Sequence, residues 1–278
     1  MLRQRVITAL LMAGVFLAGV YWLPVLTLAL IFALVVALGA WEWGPLAGIC
    51  APLSRVLYVL LMSAGVAGLY FYSDGFKGLS VEQVQPVLGV AGLWWCFALL
   101  WVRSFPASAG LWNTRWARAA MGMLTLLPAW FAAVYLLHIE TRGAVLIVLV
   151  MLVAAADIGA YFTGKTLGRH ALSPSVSPAK TWEGLWGGVA CVGLLAVLLW
   201  SLLPARFEHL SLMAALLVAL ATALASALGD LTVSMVKRAS GVKDSSMLLP
   251  GHGGLLDRLD SLCAAAPTFA LGLLLVGF

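Results

Sequence analysis

Acidic, hydroxyl and basic side chains recur at helical spacing near the end of this 278-residue chain. A first group, at positions i, i+4, i+7 and i+8, consists of Asp230, Ser234, Lys237 and Arg238. Further along, Asp257 and Asp260 are three residues apart and would share one face of a helix. Mg²⁺ binds one or two carboxylates together with phosphate oxygens, and neighbouring cations neutralise the remaining phosphate charge. The pattern therefore favours a Mg²⁺–polyphosphate site built from two helices.

A turn rich in Gly and Pro separates these two groups. It consists of Pro250, Gly251, His252, Gly253 and Gly254, and the backbone of such a turn can approach a ligand closely. A helix that begins after the turn would direct its free amides toward an anion. Spacing alone leaves another interpretation open, which is a salt-bridged loop without a ligand. A single histidine such as His252 is also more often structural than a ligand.

The run GAYFTGKT, from Gly159 to Thr166, fits the phosphate-loop pattern G-x-x-x-x-G-K-[ST]. A phosphate loop needs a buried strand before it and small residues around the phosphates. Here the preceding run AVLIVLVMLVAAADI has the character of a membrane span, and two aromatic residues occupy the wrapping positions. We interpret the run as the end of a helix with Asp157, Tyr161 and Lys165 on one face. An acid inside an apolar span is costly, so Asp157 indicates a polar cavity.

The composition determines which elements must position these residues. The chain is 63% hydrophobic and 10% charged, whereas a soluble domain is about 25% charged. This predicts an all-α polytopic integral membrane protein. Apolar runs predict nine transmembrane helices, at Val6–Leu23, Val25–Ala40, Val56–Tyr72, Val87–Val102, Ala119–Leu137, Gly143–Phe162, Leu185–Leu203, Leu210–Gly229 and Leu262–Phe278. The first run resembles a signal peptide, but its length and the spans after it favour a retained helix.

The distribution of Lys and Arg predicts the orientation. With a cytoplasmic N-terminus, all basic residues except Lys77, Arg142 and Arg206 fall in inside segments. Six of the 11 acids lie in or beside two inside loops, 163–184 and 230–261. We therefore expect N-terminal helices in residues 1–142 and, in residues 143–278, a C-terminal half whose cytoplasmic side carries any chemistry. We expect a bacterial inner membrane as the location. The four cysteines form no C-x-x-C pair, so we expect them to form neither a zinc site nor disulfides.

The C-terminal motif resembles the signature of the phosphatidate cytidylyltransferase (CDP-diacylglycerol synthase) family. The positions that carry the resemblance are Ser234, Val236, Lys237, Arg238, Lys243, Asp244, Ser246, Leu249, Pro250, His252, Gly253, Gly254, Leu255, Asp257, Arg258, Leu259 and Asp260. A second block, DIGAYFTGKTLGRHALSPSVSPAKTWEG, is also similar to that family. Two positions depart from the pattern: Ala179 replaces a second basic residue of many relatives, and Ser246 replaces a commoner Gly.

The resemblance implies that CTP and phosphatidate are converted to CDP-diacylglycerol and pyrophosphate, with Mg²⁺ and, as a candidate, a second cation. The lipid phosphate would attack the α-phosphorus of CTP, so no protein nucleophile is needed. The implied catalytic residues are Asp230, Lys237, Asp257 and Asp260, and the three aspartates are also the implied metal ligands. The implied substrate-binding residues are Ser234, Arg238, Lys180, Thr181, Glu183, His252, Gly253, Gly254, Arg258 and Asp157. The implied partners are CTP, phosphatidate and membrane lipids; no nucleic acid is expected, and a homodimer is a candidate assembly.

Three alternatives come from other classes. A CTP-dependent lipid or polyprenol kinase would need a neutral alcohol acceptor, and its motifs would not include PGHGGLLDRLD. An alcohol phosphotransferase acting on CDP-lipids would carry a D-x2-D-G-x2-A-R…D-x3-D pattern, which this sequence does not contain. An ion-coupled transporter would place ionisable residues or broken helices near the middle of the bilayer. Here the charges are predicted at the cytoplasmic ends of helices.

Overall fold

The structure is a computed structural model that describes residues 14–139, 143–202, 210–248 and 253–277. Residues 14–22 are helical. The helices that follow are α1 (Val25–Leu46), α2 (Pro52–Tyr72), α3 (Val81–Ser104), α4 (Ala109–Trp112), α5 (Arg115–Ile139), α6 (Ala144–Leu167), α7 (Trp182–Leu202), α8 (Leu212–Ala239) and α9 (Leu256–Leu275). A short 3₁₀ turn, Asp74–Phe76, precedes α3.

Eight helices in the described ranges are long and apolar enough to cross a membrane. They correspond to the second to ninth predicted spans, so the all-α polytopic fold is confirmed. The first predicted span lies partly outside the described residues. Several helices extend beyond the apolar runs that predicted them: α1 continues past Ala40 to Leu46, and α8 continues past Gly229 to Ala239. Charged residues near these helix ends therefore lie on rigid helix and not in loops.

A two-stranded antiparallel hairpin, which the sequence did not predict, connects α6 to α7. Strand β1 (Ala171–Ser173) pairs with β2 (Ser177–Thr181), with Ala171 opposite Thr181. Val176 at the turn is fully buried, and its carbonyl accepts a hydrogen bond from Nε of Arg238 at 3.2 Å. The tip of the hairpin is thus attached to the end of α8.

The helices that carry the predicted site pack directly against one another. Helix α6 packs along α7, α8 packs along α9, and α7 and α8 are in contact. Helix α9 also packs against α3 and α5, so it joins the two halves of the chain. The division at residue 142 and the cytoplasmic orientation both stay predictions. The ends of α1, α6 and α8 meet the beginnings of α7 and α9, and the charged residues collect there.

Candidate active site

A cavity of about 400 Å³ lies between α6, α7, α8 and the hairpin. Its charged lining residues are Asp157 and Lys165 from α6, Lys180 from β2 and Asp230 from α8. Tyr161 lines the same cavity, which confirms the prediction that the spacing in α6 places Asp157, Tyr161 and Lys165 on one face. The Lys165 ammonium also lies 5.7 Å from the centre of the Tyr161 ring. The run GAYFTGKT is helical throughout, so the rejection of a phosphate loop is confirmed.

Asp230 is the carboxylate that α8 contributes to the cavity wall. Its Oδ2 lies 2.5 Å from Nζ of Lys180, and both side chains are about one-third exposed. Its Oδ1 accepts a hydrogen bond from the hydroxyl of Ser234, one helical turn further along α8, at 3.2 Å. Asp230 also interacts electrostatically with Asp157 and Asp260. Residues predicted from three separate stretches therefore meet at this carboxylate.

Asp257 forms a second, less accessible ion pair beside the cavity. Its Oδ1 lies 2.7 Å from Nζ of Lys237, and the side chains are only 11% and 10% exposed. Its Oδ2 accepts the backbone N–H groups of Ser245 and Gly254, each at 3.0 Å. The carboxylate thus pairs with the Lys237 ammonium and also fixes the backbone that leads into α9. In this arrangement both of its oxygens have partners.

Asp260 is buried one turn further along α9. Its Oδ1 accepts the backbone N–H of Ser261 at 2.8 Å. Helices α8 and α9 approach closely here, because a Cβ atom at Gly229 would lie only 3.2 Å from the carbonyl carbon of Asp260. The small residue lets the two backbones meet. The close approach explains why Asp230, the next residue after Gly229, interacts with Asp260.

The two ion pairs and the two neighbouring carboxylates form one group of charged side chains. We define the charge cluster by four carboxylates and two ammonium groups, namely Asp157, Asp230, Asp257, Asp260, Lys180 and Lys237. In the described ranges, no three His, Cys, Asp or Glu side chains lie together in a way that could hold a metal ion. Mg²⁺ typically needs only one or two carboxylates, because phosphate oxygens and water complete its coordination. The carboxylates of the charge cluster therefore fit a cation that arrives with a phosphate ligand.

The remaining predicted residues of the first motif lie at the hairpin and at the start of α7. The hydroxyl of Thr181 accepts the backbone N–H of Gly184 at 3.1 Å, which is the geometry of an N-cap, and Thr181 also lines the cavity. Glu183 does not line the cavity. Its Oε1 lies 2.6 Å from Nδ1 of His170, and its Oε2 accepts the N–H groups of Arg169 and His170. The structure therefore gives Glu183 a role in holding the base of the hairpin, and its binding to substrate stays a prediction.

The remaining predicted residues of the second motif lie around the start of α9. Gly253 has a left-handed backbone (φ 80°), and Gly254 donates to Asp257. Arg258 is exposed. His252 lies outside the described residues. The roles of these four residues in substrate binding stay predictions.

Replacing Glu183 with Ala is expected to lower the rate of CTP turnover roughly 10- to 100-fold, because the hairpin that carries Lys180 would shift. His170→Ala should have the smaller effect. The His170 ring is mostly exposed, and Glu183 would still bind the two backbone amides. Initial rates at saturating CTP measure both variants, with Glu82→Ala, at an exposed site in the first turn of α3, as the matched control. Equal rates for Glu183→Ala and wild type would contradict this role of the hairpin.

Sequence reasoning missed one charged residue near the site. Glu42 lies on α1 and is completely buried, and it contacts Ser245, Ser246 and the start of α9. The predicted span ends at Ala40, two residues before Glu42, and Glu42 is not among the predicted site residues. The available signal was an isolated acid within an otherwise uncharged helical stretch, since such residues are usually functional or paired.

The fold and the site define a polytopic membrane protein with a charged cavity between three helices and a hairpin. The chain belongs to the cytidylyltransferase family, whose family model matches residues 3–276. It is 44% identical over 270 residues to the phosphatidate cytidylyltransferase of Pseudomonas aeruginosa, which covers 97% of this chain and 96% of the relative. It is 38% identical over 287 residues to the phosphatidate cytidylyltransferase of Haemophilus influenzae, with 97% of this chain and 98% of that relative covered.

Proposed function

We infer that the chain is a phosphatidate cytidylyltransferase, which makes CDP-diacylglycerol and pyrophosphate from CTP and phosphatidate. The observation that carries this inference is the 44% identity to a protein of that name over 97% of this chain. The cavity is consistent with it, because two lysines and several carboxylates converge where a triphosphate and its cation would be bound.

The proposed reaction is a displacement at phosphorus. A phosphate oxygen of phosphatidate forms a bond to the α-phosphorus of CTP, and the bond from that phosphorus to the bridging oxygen of the β-phosphate breaks. Pyrophosphate leaves with the electron pair. The acceptor is already an anion at neutral pH, so the protein does not need to generate a nucleophile. Its contribution is to position two anionic substrates and to reduce their mutual repulsion.

Each charged residue has a proposed part in that positioning. We propose that Lys180 and Lys237 contact phosphate oxygens, exchanging part of their present bonding to Asp230 and Asp257 for the substrate. Ser234 and Arg238 lie on the same end of α8 and would contact phosphate groups of CTP or the lipid. Thr181 and Asp157 would line the space that the substrates occupy.

Asp230 and Asp260 are the carboxylates we propose for Mg²⁺, with Asp257 beside them. When bound, Mg²⁺ would supply positive charge that neutralises the phosphates during transfer. The protein residues would fix where that charge lies. Because Asp260 is buried and Asp230 faces the cavity, the pair would direct the cation toward the substrate and not toward bulk water. We also propose that this end of the bundle faces the cytoplasm, where CTP is found.

The function is tested by lipid-dependent release of pyrophosphate. Membranes enriched in the protein are expected to release pyrophosphate from CTP when phosphatidate and Mg²⁺ are added. Diacylglycerol, which lacks the phosphate, should not replace phosphatidate. Diacylglycerol-dependent turnover of CTP without pyrophosphate would instead indicate a lipid kinase. A purified, folded wild type that releases no pyrophosphate with phosphatidate would contradict the proposed function.

A further inference from the structure

Glu42 is a carboxylate in an unusual position, inside an apolar helix of the N-terminal half. Its side chain is 0% exposed, and it is the one ionisable residue of α1. Burying a carboxylate is costly unless hydrogen bonds compensate for the water that it loses. Its hydrogen-bond partners therefore indicate why a charge is present there.

The four hydrogen-bond partners of Glu42 among the described residues all belong to the C-terminal half. Oε1 accepts the hydroxyl of Ser246 at 2.6 Å and the backbone N–H of Leu255 at 2.9 Å. Oε2 accepts the hydroxyl of Ser245 at 3.0 Å and the backbone N–H of Leu256 at 2.7 Å. A carboxylate offers about four acceptor positions, so these bonds use them all. Two of the donors are amides at the start of α9, which have no partner within the helix and favour negative charge.

The hydrogen bonds continue from Glu42 to the charge cluster through Ser245. Its hydroxyl donates to Glu42, and its backbone N–H donates to Oδ2 of Asp257. Asp257 follows Leu256 directly in the first turn of α9, and its other oxygen binds Lys237. Glu42 and Asp257 thus hold the same stretch of backbone from two sides.

The backbone between them fits tightly around Glu42. A Cβ atom at Gly254 would collide first with the hydroxyl of Ser245 and would lie 2.7 Å from Oε2 of Glu42, so any larger residue there would displace both partners of the Ser245–Glu42 hydrogen bond. The same Gly254 donates its N–H to Asp257 at 3.0 Å. Contact with Ser245 and Glu42 therefore explains why this position is a glycine, whereas the sequence alone suggested contact with a ligand.

We propose that Glu42 is a positioning residue of the active site. It holds residues 242–248 and the start of α9 in the arrangement that presents Asp257 to Lys237 and to the substrate. The inference rests on the proposed function, because it assigns Glu42 a part in cytidylyl transfer. Glu42 acts through Ser245 and the backbone of α9 and does not contact the substrate.

The bonding pattern explains why a carboxylate is required. Each oxygen of Glu42 accepts one backbone amide and one hydroxyl. A Gln side chain would turn its NH₂ group toward a backbone N–H in either orientation. A hydroxyl can rotate away from such a contact, but the amides of Leu255 and Leu256 are fixed by the helix. Glu42→Gln therefore loses a helix-start bond although its size is unchanged.

Glu42→Gln is expected to lower kcat about tenfold or more in purified, folded enzyme with phosphatidate and CTP. Hydrogen exchange should become faster in residues 242–248 and 253–258, while α6 and α7 remain as protected as in wild type. The matched control is Trp130→Phe, which removes a buried bond from Nε1 of Trp130 to the carbonyl of Ala29 at 3.0 Å on the same helix α1. That control should retain wild-type kcat and wild-type exchange in residues 242–258 even if its melting temperature falls.

The outcomes separate a positioning role from a merely structural one. Wild-type kcat and KM for CTP in Glu42→Gln would overturn the proposal, and so would unchanged exchange in residues 242–248. If Glu42→Gln does not fold, Ser245→Ala/Ser246→Ala keeps the carboxylate and removes its two hydroxyl donors, together with the bond that the Ser246 hydroxyl accepts from the N–H of Leu248. That double variant should still show slower turnover and faster local exchange, and wild-type values for both would overturn the proposal. If the proposed function is wrong, the wild-type protein itself will be inactive with phosphatidate and CTP. The comparison of hydrogen exchange between Glu42→Gln and wild type would still be valid in that case.

Discussion

Asp230→Asn is expected to reduce the turnover of CTP and phosphatidate by about 10²–10³-fold while the protein remains folded and inserted in the membrane. The Asn side chain keeps the size of Asp and can still accept the hydroxyl of Ser234. It removes the negative charge that pairs with Lys180 and interacts with Asp260. Because Lys180 is partly exposed, water can solvate it after the change. Activity should therefore fall far more than stability.

The rate of CDP-diacylglycerol formation, measured per mole of folded protein, tests this expectation. Glu82→Gln is the matched control, since it makes the same chemical change at an exposed acid in the first turn of α3. The control should have wild-type turnover. An Asp230→Asn variant with turnover close to that of the control would show that the carboxylate at the cavity wall is dispensable.

The second large effect concerns the buried pair of Lys237 and Asp257, and it should alter stability as well as activity. Lys237→Met leaves the Asp257 charge buried without its cation, which typically costs about 3–5 kcal/mol in free energy of unfolding. Asp257→Asn leaves the Lys237 ammonium facing a neutral amide. Each single variant should therefore melt at a lower temperature than wild type in detergent, and neither should turn over CTP at a measurable rate.

The double variant Lys237→Met/Asp257→Asn separates the two effects. It leaves no unpaired buried charge, and the Asn oxygen can still accept the amides of Ser245 and Gly254. Its melting temperature should recover toward that of wild type, while its turnover should remain as low as in the single variants. Recovery of turnover together with stability would contradict a direct role of the two residues in the reaction.

Most of the site could be predicted because its residues follow helical periodicity. The polar stripe on α8 could be predicted from the spacing of Asp230, Ser234 and Lys237 alone. The shared face of α6 could be predicted from the spacing of Asp157 and Tyr161. Composition was sufficient to predict the membrane-spanning helices, because an uncharged apolar run long enough to cross a membrane has few alternative structures. The structure added the information on which charged side chains pair with one another. Asp230 meets a lysine from the hairpin and Asp257 meets a lysine from α8, and no periodicity could assign which cation binds which carboxylate.

The features that sequence reasoning missed depend on contacts between residues far apart in the chain. The hairpin has strands of three and five residues, too short to produce a pattern, and its tip is held by Arg238 of α8. Glu42 is separated from its partners by more than 200 positions, and its role follows from where α1 ends relative to α9. The contact between Glu183 and His170 is a further example, because β1 and β2 turn the chain back at that point; the binding of Glu183 to substrate stays a prediction.

The central claim is that the protein transfers a cytidylyl group to a lipid phosphate. The most direct measurement follows CTP labelled either on its α-phosphorus or on its γ-phosphorus, with phosphatidate in vesicles and Mg²⁺. The account predicts that the α-label enters the lipid fraction as CDP-diacylglycerol and that the γ-label appears in pyrophosphate. A γ-label in the lipid and an α-label left in CDP would show phosphate transfer instead, and would contradict the account.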